Sequence, residues 1–552
     1  MAATFSIAAA CAFLYCLGLA RAGFYDNEGR FAEVARQMLV RGEFVTPYLN
    51  GIPFLNKPPL TAYLAAAVLS FGGAPEWARV VSVAAAAVTL VATACLGARL
   101  YGPAHGLAAL VLLATSAGFV LEARTLRPDG LLVAAMAVAL LCLWHAEHGA
   151  RARTAWLVGF YAAIGVGMLA KGLLPLVLLG PPVAAVMLGT YGLSGVWRLR
   201  PGLGCAVLAA IVLPWHVLVA WRNPGFAWDF MVNQHLLFAF DKKEPRDSEG
   251  VSLAVFAGAF VARAAPWIAL LPLAVRRARG GGVDPWRLVP WLWMLTPLGL
   301  FALTPSRLEH YSLPALPAVA LLAAGPALAL ARGERGAVRG VVLLLALTAV
   351  AGGLALLVRG SQLLEAIPWL EETPGLVPLP PIAGGILLAG GAAIGAAALV
   401  RRGRLALAAL VATTAAFEAV VVAGTVAVAP LLSWKGVAGA IVSRVGRDAE
   451  IVFEAPVEYQ LVGGLDFYLQ RDVTLLEPAG GFVPPTYLEG RVEGMFIDRM
   501  ELERRWQEAA PVVFVSDPTR RRDRPEELVP EPFVVLARFG NRWVLGNAAV
   551  AR

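Results

Sequence analysis

Tyr25-Asp26-Asn27-Glu28-Gly29-Arg30-Phe31-Ala32-Glu33 and, some thirty positions on, Asn56-Lys57-Pro58-Pro59 concentrate acids, bases and aromatics in an otherwise apolar chain. Carboxylates at the edge of a membrane are costly unless they are paired or functional. Asp26 is therefore a candidate general base, able to take a proton from a hydroxyl nucleophile. A structural alternative stands beside it: Asp26 or Asn27 caps a helix, and Glu28 pairs with a nearby arginine. Glu28 and Asp129 are the other candidate catalytic carboxylates, and Asp129 could equally be a helix N-cap. Lys57, Lys171 and Arg307 are cations whose natural partner is an anionic group, above all a lipid phosphate. Lys171 alone could simply snorkel to headgroups. Arg30, Tyr63, His235, His310 and Tyr311 complete the candidate substrate contacts. For the histidines, hydrogen bonding or a structural role outranks metal binding, which needs three converging ligands. A divalent cation is left open as a cofactor, with no ligand set named.

These residues need a scaffold, and composition says which kind. The chain has 552 residues, 59% of them hydrophobic and 15% charged, which excludes a soluble enzyme and fits a polytopic membrane protein. Apolar runs of helix length fall at 2–22, 79–98, 105–123, 130–148, 154–170, 173–192, 202–221, 251–273, 286–304, 312–330, 338–358, 380–400 and 404–430, giving about 13 helices of ~20 residues. The first lacks a basic flank and a cleavage site, and is read as a retained helix. The net charge of +8 does not point to nucleic acid. Its arginines sit in alternate connections: Arg99; Arg151 and Arg153; Arg198 and Arg200; Arg276, Arg277 and Arg279; Arg332, Arg335 and Arg339; Arg401, Arg402 and Arg404. By the positive-inside rule that side is cytoplasmic. The Asp26 loop, Asp129, Lys171, the 222–250 loop, the Arg307–Tyr311 loop and the C-terminal tail then share the opposite side. The count requires residues 60–72 not to cross.

Within the first loop (23–78), Phe31, Ala35, Met38 and Leu39 recur at helical spacing against Arg30, Glu33, Arg36 and Gln37, the pattern of an amphipathic interfacial helix. Near residue 431 charges return, so the chain divides into a membrane domain, 1–430, and a soluble α/β domain, 431–552. Strands are predicted at Glu450–Glu454, Val473–Leu476 and Val512–Val515, a helix about Arg499–Ala509, and a hairpin of Phe533–Phe539 and Arg542–Leu545 around Gly540-Asn541. The five cysteines all lie in apolar runs, so no disulfide is expected. No nucleotide-binding glycine loop or GxSxG motif occurs. A transporter would keep its polar groups near the bilayer midplane; gathering them at one side favours an enzyme.

The first-loop elements resemble the D-E-x-R-Y-A-E and E-K-P-P elements of the bacterial aminoarabinose (lipid A) transferases and their protein mannosyltransferase relatives. Arg127-Pro128-Asp129, Lys171-Gly172, Asn233-Gln234-His235, Ser306-Arg307-Leu308-Glu309-His310-Tyr311 with Leu313-Pro314, and Phe467-Tyr468-Leu469 are similar in the same order. The resemblance implies a GT-C fold and inverting sugar transfer from undecaprenyl or another polyprenyl phosphate. The acceptor would be a lipid, such as lipid A, or a protein. It implies a bacterial inner-membrane enzyme with a periplasmic active site and C-terminal domain. It aligns Asp26 with the catalytic aspartate, and Lys57, Lys171 and Arg307 with positions near the lipid phosphate. Two departures stand out: Asn56 replaces a common Glu, and Arg307 a common Lys.

Overall fold

The computed structural model describes residues 2–551 except 150–151, 245–249, 279–283, 335, 368–369, 371–372, 446–448, 456–458, 479–481, 483 and 521–523, and omits the side chains of 26, 278 and 551. Among the described residues eleven helices are long and apolar enough to cross a membrane. Two bent pairs, Pro103–Ala114 with Ala117–Ala123 (70°) and Leu253–Ala264 with Trp267–Arg277 (89°), bring the total to 13 when each pair is counted as one span. The expected spans are therefore met, two of them broken: the first bend lies at Thr115-Ser116, the second at Ala265-Pro266. Residues Leu60–Leu69 form a helix of ten residues, too short to span ~30 Å of hydrocarbon.

The basic connections neighbour one another. Arg153 donates to the carbonyl of Arg198 and pairs with Glu147, Arg277 pairs with Glu334, and Arg339 donates to the carbonyl of Leu399. Arg151, Arg279 and Arg335 lie outside the described residues.

The C-terminal segment forms a six-stranded sheet of β3 (Glu450–Glu454), β4 (Thr474–Leu476), β5 (Phe496–Ile497), β6 (Val512–Val515), β7 (Phe533–Phe539) and β8 (Arg542–Asn547). Its order is β5-β4-β3-β6-β8-β7, and β1 and β2 are a small ladder in the first loop, Tyr48–Leu49 with Ile52–Pro53. β3 runs parallel to β4 and β6, whereas β6–β8 and β7–β8 are antiparallel. The predicted helix is Arg499–Trp506, capped by Asp498.

This sheet is not independent of the first loop. Val34, Met38, Leu49 and Ile52 share one buried cluster with Trp434, Val437, Phe453 and Leu465. The first-loop helix, Asp26–Arg41, lies under the short helix Gly463–Leu469. A Cβ added at Gly29 would collide with the backbone of Gly464, so glycine permits that approach. Phe467 packs edge-on to Phe24 at 5.3 Å, and Tyr468 accepts the Phe24 N–H at 2.8 Å. The tail motif Phe467-Tyr468-Leu469 thus grips the start of the loop.

The expectation of an interfacial helix is corrected by this packing. Phe31, Ala35 and Met38 are buried as expected, but Leu39 is exposed, and Glu33 and Gln37 on the polar side are buried. Glu33 takes two hydrogen bonds from Arg36 (both 2.7 Å) and one from Gln37 (2.8 Å), and Gln37 reaches Asp472. The C-terminal segment covers a face that the sequence assigns to water.

Asp466 carries an energetic consequence of that cover. It is fully buried and neither carboxyl oxygen has a hydrogen-bond partner. Burial, then the charges of Glu33 and Asp472, push its pKa well above the usual carboxylate range. The folded group keeps its proton to higher pH than the unfolded one. Its contribution is therefore intact at low pH and is lost as pH rises towards the folded value. Asp466→Asn is expected to raise the melting temperature at about pH 8 and to change it little near pH 4. Equal shifts at both pH values in thermal unfolding would contradict this.

Candidate active site

Seven of the eleven predicted site residues converge on a cavity of about 310 Å³. The first-loop helix presents Asn27 and Arg30, and the turn after β2 presents Asn56 and Lys57. Arg127 and Asp129 come from the start of the Pro128–His148 helix. Lys171 ends the Arg153–Lys171 helix, His235 lies on the Asp229–Leu237 π-helix, and His310 and Tyr311 begin the Glu309–Ala331 span. Leu173, Leu174, Val177, Phe238, Leu300 and Phe301 make an apolar wall beside them.

Asp129 and Lys171 form the electrostatic centre. Lys171 Nζ lies 2.5 Å from Asp129 Oδ1 and 4.8 Å from the centre of the Tyr311 ring. Asp129 is the second residue of its helix, after Arg127 and Pro128, rather than its N-cap. Its carboxylate meets both the helix N-terminus and the ammonium. Arg127 lies 3.6 Å from the buried Glu122. Arg30 donates to Gln460 of the C-terminal segment.

Lys171 is aimed by a backbone break. Gly172 has φ +67°, and a Cβ there would collide with His235 Nε2. His235 Nε2 accepts the Leu173 N–H at 3.1 Å, so Nδ1 carries the proton and donates to the Phe230 carbonyl. Burial lowers the pKa of His235, keeping it neutral. Both ring nitrogens are committed to backbone. His235 lines the cavity, but its work is to hold the Lys171 turn, not to hydrogen-bond a substrate.

Three further expectations are corrected. Glu28 is fully buried away from the cavity, where its carboxylate takes Arg79 at 2.6 and 2.8 Å, the Leu126 N–H at 2.6 Å and the Tyr25 N–H at 3.0 Å. It caps the first-loop helix, with Tyr25 as N-cap, and has no role left for chemistry. Arg307 does not line the cavity. Its guanidinium donates to the carbonyls of Phe301, Val251 and Ala302, closing the end of the Pro285–Leu303 helix. Tyr63 is also outside the lining: its hydroxyl donates to the Phe44 carbonyl at 2.6 Å. Asp26 begins the first-loop helix beside Asn27, and its side chain lies outside the described residues.

Arg79, Gln460 and Tyr487 are the partners that sequence reasoning missed. Arg79 had a signal, a lone arginine at the head of an apolar run. Tyr487, which reaches Asn56 at 3.1 Å, had none. Among the described residues no three His, Cys, Asp or Glu side chains converge as a metal site, so none is named for a divalent cation.

The chain resembles known proteins in both sequence and fold. The dolichyl-phosphate-mannose-protein mannosyltransferase family profile matches residues 56–219. The undecaprenyl phosphate-alpha-4-amino-4-deoxy-L-arabinose arabinosyl transferase of Pseudomonas aeruginosa (strain LESB58) is 31% identical over 318 residues, 56% of each chain. The corresponding transferase 1 of Sodalis glossinidius is 30% identical over 358 residues, 62% of this chain and 61% of that one. The chain thus spans little more than half the length of the curated relatives it matches. The crystal structure of ArnT from Cupriavidus metallidurans bound to undecaprenyl phosphate superposes with a TM-score of 0.80 at 22% identity, covering 100% of this chain and 98% of that one. The fold is therefore the GT-C fold of that structure, and the resemblance drawn from the motifs is borne out.

Proposed function

We propose that the protein is a membrane glycosyltransferase that moves a sugar from a polyprenyl phosphate to a lipid or other cell-envelope acceptor on the periplasmic side of the inner membrane. One observation carries the reading: Arg30, Lys57, Arg127 and Lys171 share a cavity with an apolar wall. A phosphate joined to a hydrocarbon chain has those two needs. The relatives' names, which specify an undecaprenyl phosphate-linked sugar, support the same donor class.

In the reaction the bond between the anomeric carbon and the phosphate oxygen breaks as the acceptor oxygen bonds to that carbon. Charge builds on the departing phosphate, and the fixed cations stabilise it without a proton donor. Asp129 holds the Lys171 ammonium in place, and His235 holds the backbone on which Lys171 sits. Asp26 takes the acceptor's hydroxyl proton, and the sugar inverts. The family profile at residues 56–219 favours a second reading in which the acceptor is a protein hydroxyl; supplying lipid and protein acceptors in parallel separates the two.

Lys57→Ala is expected to weaken binding of polyprenyl phosphate by about tenfold or more, the scale of a charge-assisted contact worth ~1.5–3 kcal/mol. Acceptor binding should change less. Titration of polyprenyl phosphate into wild-type and variant protein in nanodiscs measures this. Unchanged donor affinity with weakened acceptor affinity would put Lys57 on the acceptor side.

A further inference from the structure

We propose that Glu122, backed by Arg263, sets how tightly the spent lipid phosphate is held after transfer, acting through Arg127. The inference rests on the donor reading above and concerns product release, which that reading leaves open.

Among the described residues that line the cavity neither Glu122 nor Arg263 appears, and the mechanism above uses neither. They come from the two broken spans, which meet at their bends: the indole N–H of the buried Trp267 donates to the Thr115 carbonyl at 3.3 Å. Beyond the first bend, a Cβ at Gly118 would lie 2.5 Å from Arg263 Cβ, so glycine there admits the arginine stem. Glu122, four residues further along the same helix and 5% exposed, lies between two guanidinium groups. Its Oε1 is 3.6 Å from Nη1 of Arg127, and its Oε2 is 4.0 Å from Nη1 of Arg263. At those separations the contacts are ion pairs rather than hydrogen bonds, so Glu122 supplies charge more than orientation. Charges placed within a membrane span are costly and mark function by default.

The chemistry gives that charge a task. The donor's phosphate is a diester with a single negative charge. When its bond to the anomeric carbon breaks, the lipid leaves as a monoester, whose second pKa of ~6 lets it carry up to two. Cations that stabilise the departing phosphate therefore also retain the product, and product release limits many enzymes. A carboxylate behind Arg127 opposes the product more than the donor, because the interaction scales with the phosphate's charge. Arg263, on the other carboxylate oxygen, tempers that effect.

The test titrates undecaprenyl phosphate, and its methyl ester as a diester of single charge, into wild-type and variant protein in nanodiscs at about pH 8. Thermal unfolding of each sample reports the fold. Glu122→Gln is expected to tighten undecaprenyl phosphate about tenfold and the methyl ester about threefold. Arg263→Gln, which leaves the Glu122–Arg127 pair in place, is expected to weaken undecaprenyl phosphate about threefold or more, and the methyl ester less. Damage to the fold would weaken both lipids in both variants, so the opposite signs and the dependence on ligand charge are effects that a structural role does not give. Unchanged or weaker undecaprenyl phosphate binding by a folded Glu122→Gln would overturn the inference and leave the transferase reading standing. If Glu122→Gln does not fold, Arg263→Gln decides, and unchanged or tighter binding there would overturn it equally. Failure of the wild-type protein to bind undecaprenyl phosphate would remove the donor reading itself, and this inference with it.

Discussion

Asp26→Asn is expected to leave a folded protein that transfers sugar about 10²–10⁴-fold more slowly, the usual scale of general base catalysis. The substitution keeps size and polarity and removes only the ability to accept a proton. Folding should be spared because the helix start rests on other groups. Tyr25 is the N-cap, Glu28 N–H donates to the Tyr25 carbonyl at 2.8 Å, and the Glu28 carboxylate takes the Tyr25 N–H. Donor affinity should also persist, since Arg30, Lys57, Arg127 and Lys171 are untouched. Transfer rates and donor binding measured on the same reconstituted samples check this. A well-folded variant with near-normal turnover would remove Asp26 as the base.

Arg79→Met is expected to have the largest effect on stability, about 3–5 kcal/mol, because it strands a buried carboxylate. Arg79 and Glu28 are both essentially inaccessible to solvent. Beyond the ion pair, the guanidinium donates to the carbonyls of Leu19 (2.9 Å), Ala22 (2.6 Å) and Gly23 (2.8 Å). Glu28 in turn takes the N–H of Leu126, next to the cavity residue Arg127. One pair thus ties the end of the first span, the first-loop helix and the Leu126 turn together. The double variant Arg79→Met, Glu28→Leu should regain part of the loss, since neither charge is then left alone. Thermal unfolding in detergent provides the comparison. A single variant no less stable than the double one would contradict the account.

The sequence announces some of this and hides the rest, for physical reasons. Helices that must satisfy their own backbone in lipid leave long apolar runs, so the spans could be read directly, but not the bends that break two of them. Phe31, Ala35 and Met38 follow helical periodicity and are buried. Glu33 and Gln37 obey the same periodicity yet are buried too, because a segment more than 400 residues later covers them. No local pattern encodes that contact. The candidate carboxylates show the same limit. Asp26, Glu28 and Asp129 look alike as letters, but Glu28 is spent on Arg79, whereas Asp129 faces the cavity beside Lys171. Arg307 reads as a phosphate ligand until three carbonyls are found around it. Residue type marks what could do chemistry; only the partners decide which groups remain available for it.

The central claim is sugar transfer from a polyprenyl phosphate, and mass spectrometry of those lipids tests it most directly. Cells with the gene intact, deleted or carrying Asp26→Asn would be compared. One sugar-bearing polyprenyl phosphate should accumulate in both defective strains, and its mass would identify the sugar class. An unchanged profile in both, with the sugar-bearing lipids shown to be detectable, would contradict the claim.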